Sequence, residues 1–114
     1  MAFASMAIKE LRQLASEFEL VSAYLVPFRH ESRTTANGEA AIWYRIVFEV
    51  KVGGENQRVA LATSRGPLRR FANPNKALEM LEDEFSDSEF EQIAILRKLE
   101  NAYNEQLDTL ELSQ

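Results

Sequence analysis

Apolar positions along the chain follow two rhythms. Over residues 6–18, Ile8, Leu11, Leu14, Ala15 and Phe18 recur every three or four positions, with Lys9, Glu10, Arg12, Gln13 and Glu17 between them. That is the period of a helix with one buried face. From residue 20 the rhythm changes. Val21, Tyr24, Val26 and Phe28 favour a strand with apolar groups on both faces. Pro27 lacks a ladder donor, so this strand lies at an edge or ends near there. Residues 30–40 (HESRTTANGEA) are polar and contain Asn37-Gly38. They read as a mobile loop, too long for a tight hairpin. Residues 42–52 then alternate. Ile42, Tyr44, Ile46, Phe48, Val50 and Val52 point one way, and Trp43, Arg45, Val47, Glu49 and Lys51 the other. Period two predicts a strand with the first set buried and the second solvated. Gly53-Gly54-Glu55-Asn56 is a turn, and residues 57–63 return with Val59, Leu61 and Thr63 on one face. Ser64-Arg65-Gly66-Pro67 turns the chain again before Leu68–Phe71, a candidate short fourth strand.

Helical spacing resumes at Asn73-Pro74. Asn caps a helix, and Pro at its first position gives up an amide that no helical partner would take. Ala77, Leu78, Leu81 and Phe85 form its apolar stripe. Ser86 and Glu89 match a capping box for a second helix, with Phe85 and Phe90 at the staple positions. Phe90, Ile93, Leu96, Tyr103, Leu107 and Leu110 carry that helix to about residue 111; a single bent helix over 74–111 is the other reading. The predicted fold is α+β: an N-terminal helix, a three- to four-stranded antiparallel sheet and two C-terminal helices, with helices on one face of the sheet. Without an internal repeat or linker, residues 1–114 form a single domain. The helix over about 87–111 is longer than a typical strand and is expected to project and mediate pairing.

Composition narrows the function classes. The chain has 114 residues, 46% hydrophobic and 27% charged, which suits one ordinary core and not a disordered chain. It has no cysteine, which removes disulfides, thiolate catalysis and Cys-based zinc sites. No apolar run approaches the roughly 18 residues of a membrane span, and Lys9 and Glu10 arrive too early for a signal-peptide core. The expectation is a cytoplasmic protein without a membrane partner. The net charge of −5 is unevenly spread. Residues 1–78 hold eleven bases against seven acids, a balance of +4, while residues 79–114 hold two against eleven, a balance of −9.

Little in the sequence points to catalysis. His30 is the single histidine, and it sits in a polar stretch with no nucleophile-elbow pattern. The acids Glu79, Glu82, Asp83, Glu84, Asp87, Glu89 and Glu91 lack an EF-hand series and read as a charged helix junction. Gly53-Gly54 lies at a hairpin, so it is no phosphate loop. No enzyme activity, cofactor or metal is expected. The basic constellation is more informative: Arg58, Arg65, Arg69, Arg70 and Lys76 fall close together, with Phe71 among them. Guanidinium forks match carboxylates and phosphates. They make a binding site for an acidic protein partner or, as the alternative, a nucleic-acid backbone. The plainer reading is that Arg69 and Arg70 pair with acids of the next helix, such as Glu79 or Glu82. Trp43 and Arg45 are candidate contacts on the solvated sheet face. Leu96, Leu99, Tyr103, Leu107 and Leu110 offer a seam through which the last helix could form a homodimer.

Five segments carry a resemblance: Leu14-Ala15, Val21-Ser22-Ala23-Tyr24-Leu25-Val26-Pro27, Leu61-Ala62-Thr63-Ser64-Arg65-Gly66, Leu68-Arg69-Arg70-Phe71, and Ala77-Leu78 with Leu81. In this order they resemble small accessory proteins of the partition-associated kind, borne on plasmids and other mobile elements. In that pattern a Thr-x-Arg-Gly turn leads into an Arg-Phe strand and a short helix. The likeness spans roughly residues 11–82; the polar stretch at 30–40 and the chain after Ser86 depart from it. It implies a bacterial, plasmid or phage setting and a non-enzymatic accessory role, and it carries over no catalytic residue.

Overall fold

The structure, a computed structural model, describes residues 4–85, 90–97 and 102–112. The alternating run becomes β3 (Ala40–Val52), the middle strand of a five-stranded sheet. Around it lie β1 (Ala4–Ala7), α1 (Ile8–Glu17), β2 (Glu19–Thr34), β4 (Glu55–Ala62), α2 (Pro74–Glu84), β5 (Gln92–Ile95) and α3 (Ala102–Leu112). The strand order is β1-β4-β3-β2-β5. β2, β3 and β4 are antiparallel neighbours, whereas β1 runs parallel to β4 and β5 parallel to β2. The fold is therefore α+β, but its sheet is mixed and has two edge strands that the predicted antiparallel sheet lacked.

The two crossovers, β1-α1-β2 and β4-α2-β5, each move three places across the sheet in the same direction. Crossovers of one hand and one direction place both helices on the same face. Accordingly Leu11 of α1 and Ala77, Met80 and Leu81 of α2 share a core with Leu25, Ile46, Phe48, Val50, Val59 and Leu61. Phe48, Phe85 and Phe90 form an aromatic triplet there, with ring centroids 5.4–5.9 Å apart. Asn73 caps α2 as its sequence predicts, its Oδ1 accepting from the Lys76 N–H at 3.0 Å.

The opposite face, expected to be solvated, is covered. α3 seals it with Leu107, Tyr103 and Leu110 over Val26, Val47, Ala60 and Ala62, and Leu96 joins them. The predicted projecting helix over 87–111 is thus replaced by a short strand and a helix docked on the sheet. Residues 92–95 pair with Ser22–Leu25, and Leu107 is fully buried. Among the described residues, Leu96, Tyr103, Leu107 and Leu110 pack onto the sheet and do not form a free pairing seam. The capping box at Ser86 and Glu89, and Leu99, lie outside the described residues.

Smaller differences have local causes. Residues 4–7, assigned in part to the first helix, extend along β4, where parallel pairing with Val59–Ala62 outweighs their local helix propensity. The expected loop at 30–40 is mostly strand: β2 runs on to Thr34 and meets Ala40 around the Asn37-Gly38 tip, where Gly38 has φ 82°. Gly53 and Gly54, at φ 60° and 84°, make the tight β3–β4 turn. Leu68–Phe71 contributes two isolated bridges, Ala62 with Leu68 and Tyr44 with Phe71, and not a full strand.

Candidate functional site

β2 and β3 continue past the helices as a two-stranded arm, and residues 31–39 are exposed along it. Between the pairs Arg29–Ile42 and Thr34–Ala40 the register slips, because β2 carries four residues opposite one. Such a bulge leaves backbone amides unpaired. The His30 ring takes two of them, its Nδ1 accepting from the Ser32 and Arg33 N–H groups at 3.1 and 3.2 Å. The same ring lies 4.6 Å from Trp43 and 6.3 Å from Phe28 between centroids. His30 thus holds the bulge in shape through its Nδ1.

Phe28, at the base of the arm, lies against two guanidinium groups. The Arg45 Cζ is 4.4 Å from its centroid and the Arg70 Cζ 5.2 Å. Each contact matches the attraction of a cation for an aromatic face. Arg45, expected on a solvated face, is only 2% exposed. Its Nη1 donates to Asp108 Oδ1 at 2.9 Å and its Nη2 to Asn104 Oδ1 at 2.7 Å. Asn104 in turn donates from Nδ2 to the Pro27 carbonyl at 2.7 Å. That carbonyl lies beyond the last β5 pair, at Leu25. Asn104 therefore satisfies a strand group that β5 no longer reaches. Arg45 is a structural pin for α3 and not an external contact.

Arg70 is different. Its Nη1 donates to both Glu31 oxygens, at 2.6 and 2.8 Å, and the Glu31 side chain is 64% exposed. The hydrogen bond from Arg70, aided by a backbone bond, holds the Glu31 carboxyl below its ordinary value of 4.5. This partner is on the arm and not, as the plainer reading had it, on the following helix. Arg69 lies over Phe71, with Cζ 5.1 Å from the ring centroid, and its N–H donates to the Leu61 carbonyl. Arg65 is exposed on the turn that the Thr63–Pro67 and Gly66–Thr63 backbone bonds close. Lys76 is exposed in the first turn of α2.

Register places these groups together at the end of the sheet where β2 and β4 finish. Arg65, Arg69, Arg70 and Lys76 are joined there by the exposed Arg29 and Arg33 and by Trp43, half-buried beside His30. Arg58 does not join them. It lies along α3, 5.1 Å from the Tyr103 ring centroid and 3.9 Å from Glu49 Oε1. The predicted constellation is thus four of five residues, enlarged by the arm. Phe28, His30 and Glu31 were not anticipated in it. A tight Asn37-Gly38 turn without the bulge would set Phe28 opposite Val47, four places from its actual partner Trp43.

Among the described residues, no three His, Asp or Glu side chains converge to hold a metal ion. A surface depression is lined by Met6 of β1 and Glu10, Gln13, Leu14 and Glu17 of α1. No described helix is long and apolar enough to cross a membrane. In comparisons with protein-family models, curated proteins and solved structures, the chain matches none.

Proposed function

We propose that this chain is a non-enzymatic binding module that engages an acidic segment of a partner protein through the arginine-bearing end of its sheet. The observation that carries the reading is the Arg70–Glu31 contact: an exposed carboxylate of the chain's own arm already occupies a guanidinium braced on Phe28. A partner carboxylate can replace Glu31 at little cost, because exposed ion pairs contribute about 0–1 kcal/mol. Arg65, Arg69, Arg29 and Arg33 lie at the same end of the sheet and supply further charge-assisted donors. An accessory role in maintaining a plasmid or other mobile element, as the partition-associated resemblance implies, is compatible with such a module. Phosphate is the other ligand that guanidinium groups fit, and the half-buried Trp43 offers a ring for a base, so nucleic acid is the second reading.

A pull-down with the tagged chain tests both. Recovery of a stoichiometric protein, lost when Arg65, Arg69 and Arg70 are changed to Glu, supports the proposal; recovery unaltered by that change contradicts it. Mobility-shift assays with single- and double-stranded oligonucleotides at low salt decide the second reading. A shift that fades steeply with salt favours nucleic acid over an acidic protein.

A further inference from the structure

β5 is an edge strand whose inner side is tied to β2. Leu96 N–H donates to the Leu25 carbonyl at 2.9 Å and sets the alternation along β5; just before the strand, where that alternation is broken, Glu91 N–H also turns inward, to the Val21 carbonyl at 2.9 Å. Leu25 is in register with Ile95. Alternate residues of a strand turn their N–H and C=O to opposite sides, so Ala94 and Leu96 face β2 while Ile93 and Ile95 turn their backbone groups outward. Among the described residues no strand lies on that outer side. The same two residues are the exposed large hydrophobics of the described chain, at 41% and 45%. An edge with open backbone groups and β-branched side chains is a template for another strand.

Charge identifies the strand. The exposed Glu91 stands at the N-terminal end of the open segment and the exposed Arg97 at its C-terminal end. Laid antiparallel on itself about Ala94, the segment sets Ile93 against Ile95 of the second copy and brings the end bearing Glu91 beside the end bearing Arg97, twice over. A register shifted by two residues sets a charge against an isoleucine. Small Ala94 falls on the two-fold axis, at a pair without mutual hydrogen bonds, where strands approach most closely. We propose that β5 pairs antiparallel with β5 of a second copy of this chain, joining two five-stranded sheets into one. The contact is self-complementary, as a two-fold interface must be. It is also short, so the dimer is weak and dissociates on dilution. The two arginine-bearing ends then point in opposite directions. The surface is separate from those arginines and does not depend on their function.

Charge exchange tests the pairing. In sedimentation velocity, the chain is expected to shift from its 13.0 kDa monomer toward twice that mass as concentration rises. R97E and E91R each place like charges side by side and are expected to abolish the shift; the double variant E91R/R97E is expected to restore it. A second readout uses the absence of native cysteine. Under mild oxidation A94C is expected to cross-link at the two-fold axis, and A94C/R97E is not. A monomer persisting to about 1 mM, a dimer indifferent to either single reversal, failure of the double variant to recover, or no cross-link in A94C each overturns the proposal.

Discussion

At the scale of single residues, Arg45 separates structural from functional arginine. Its guanidinium is buried, braced on Phe28 and tied to Asn104 and Asp108. Replacing it with alanine opens space under α3 and leaves the buried Asn104 acceptor without this donor. Large-to-small core changes cost about 2–5 kcal/mol, and an orphaned buried acceptor costs about 1–3 kcal/mol. Arg45→Ala is therefore expected to destabilise the chain by about 3–5 kcal/mol. Asp108→Ala, at a side chain 64% exposed, is expected to cost under about 1 kcal/mol. Urea unfolding checks both, and equal losses would refute the asymmetry. The period-two pattern put Arg45 opposite the Ile46 face correctly. It held no information on whether that second face was covered, because a lone arginine in an alternating strand looks the same on an open or a sealed sheet. Asn73 was legible for the opposite reason: a cap is satisfied three residues away.

Among the elements, β5 shows where local pattern stops. Phe90, Ile93 and Leu96 fit a helical stripe, while Ile93 and Ile95 fit a strand. Four residues cannot decide between these, and pairing with Ser22–Leu25, some seventy positions earlier, decides for the strand. Likewise the polar residues 30–34 gave no strand signal, and the ladder pairs at Arg29 and Thr34 together with the His30 ring hold them as a bulge. The α3 docking carries its own titration. Burial pushes the Tyr103 phenol above its ordinary 10.0; Arg58 opposes this, and Glu49, which accepts the phenol O–H at 3.2 Å, adds to it. A phenol whose folded-state pKa is raised stabilises the fold below the unfolded value, and that contribution is lost as pH rises through the folded value. Stability is thus expected to fall from about pH 10 upward, and in Tyr103→Phe this component of the fall disappears. Thermal melts across that range check it; an unchanged alkaline slope in the variant would contradict the link.

Over the whole molecule, splitting the net charge identified two regions of opposite sign, and the fold gives them different meanings. Six of the eleven bases of the basic part lie at one end, because the β2–β3 arm brings Arg29 and Arg33 to the end of the sheet that bears Arg65, Arg69, Arg70 and Lys76. The acidic part is not a projecting tail: its described residues include β5 and the docked α3. Fold class and the three middle strands were legible because periodicity and turn residues are local. The edge strands and the covered second face were not, since each depends on contacts distant in sequence. The arginine-bearing end contains the chain's one tryptophan, Trp43, next to His30. Its emission therefore reports binding at the proposed surface. Titrating the chain with a synthetic Glu-rich peptide is expected to change that emission saturably, with the change lost in R65E/R69E/R70E. Emission unmoved at saturating peptide, or moved equally in the triple variant, would contradict acidic-partner binding at this end of the sheet.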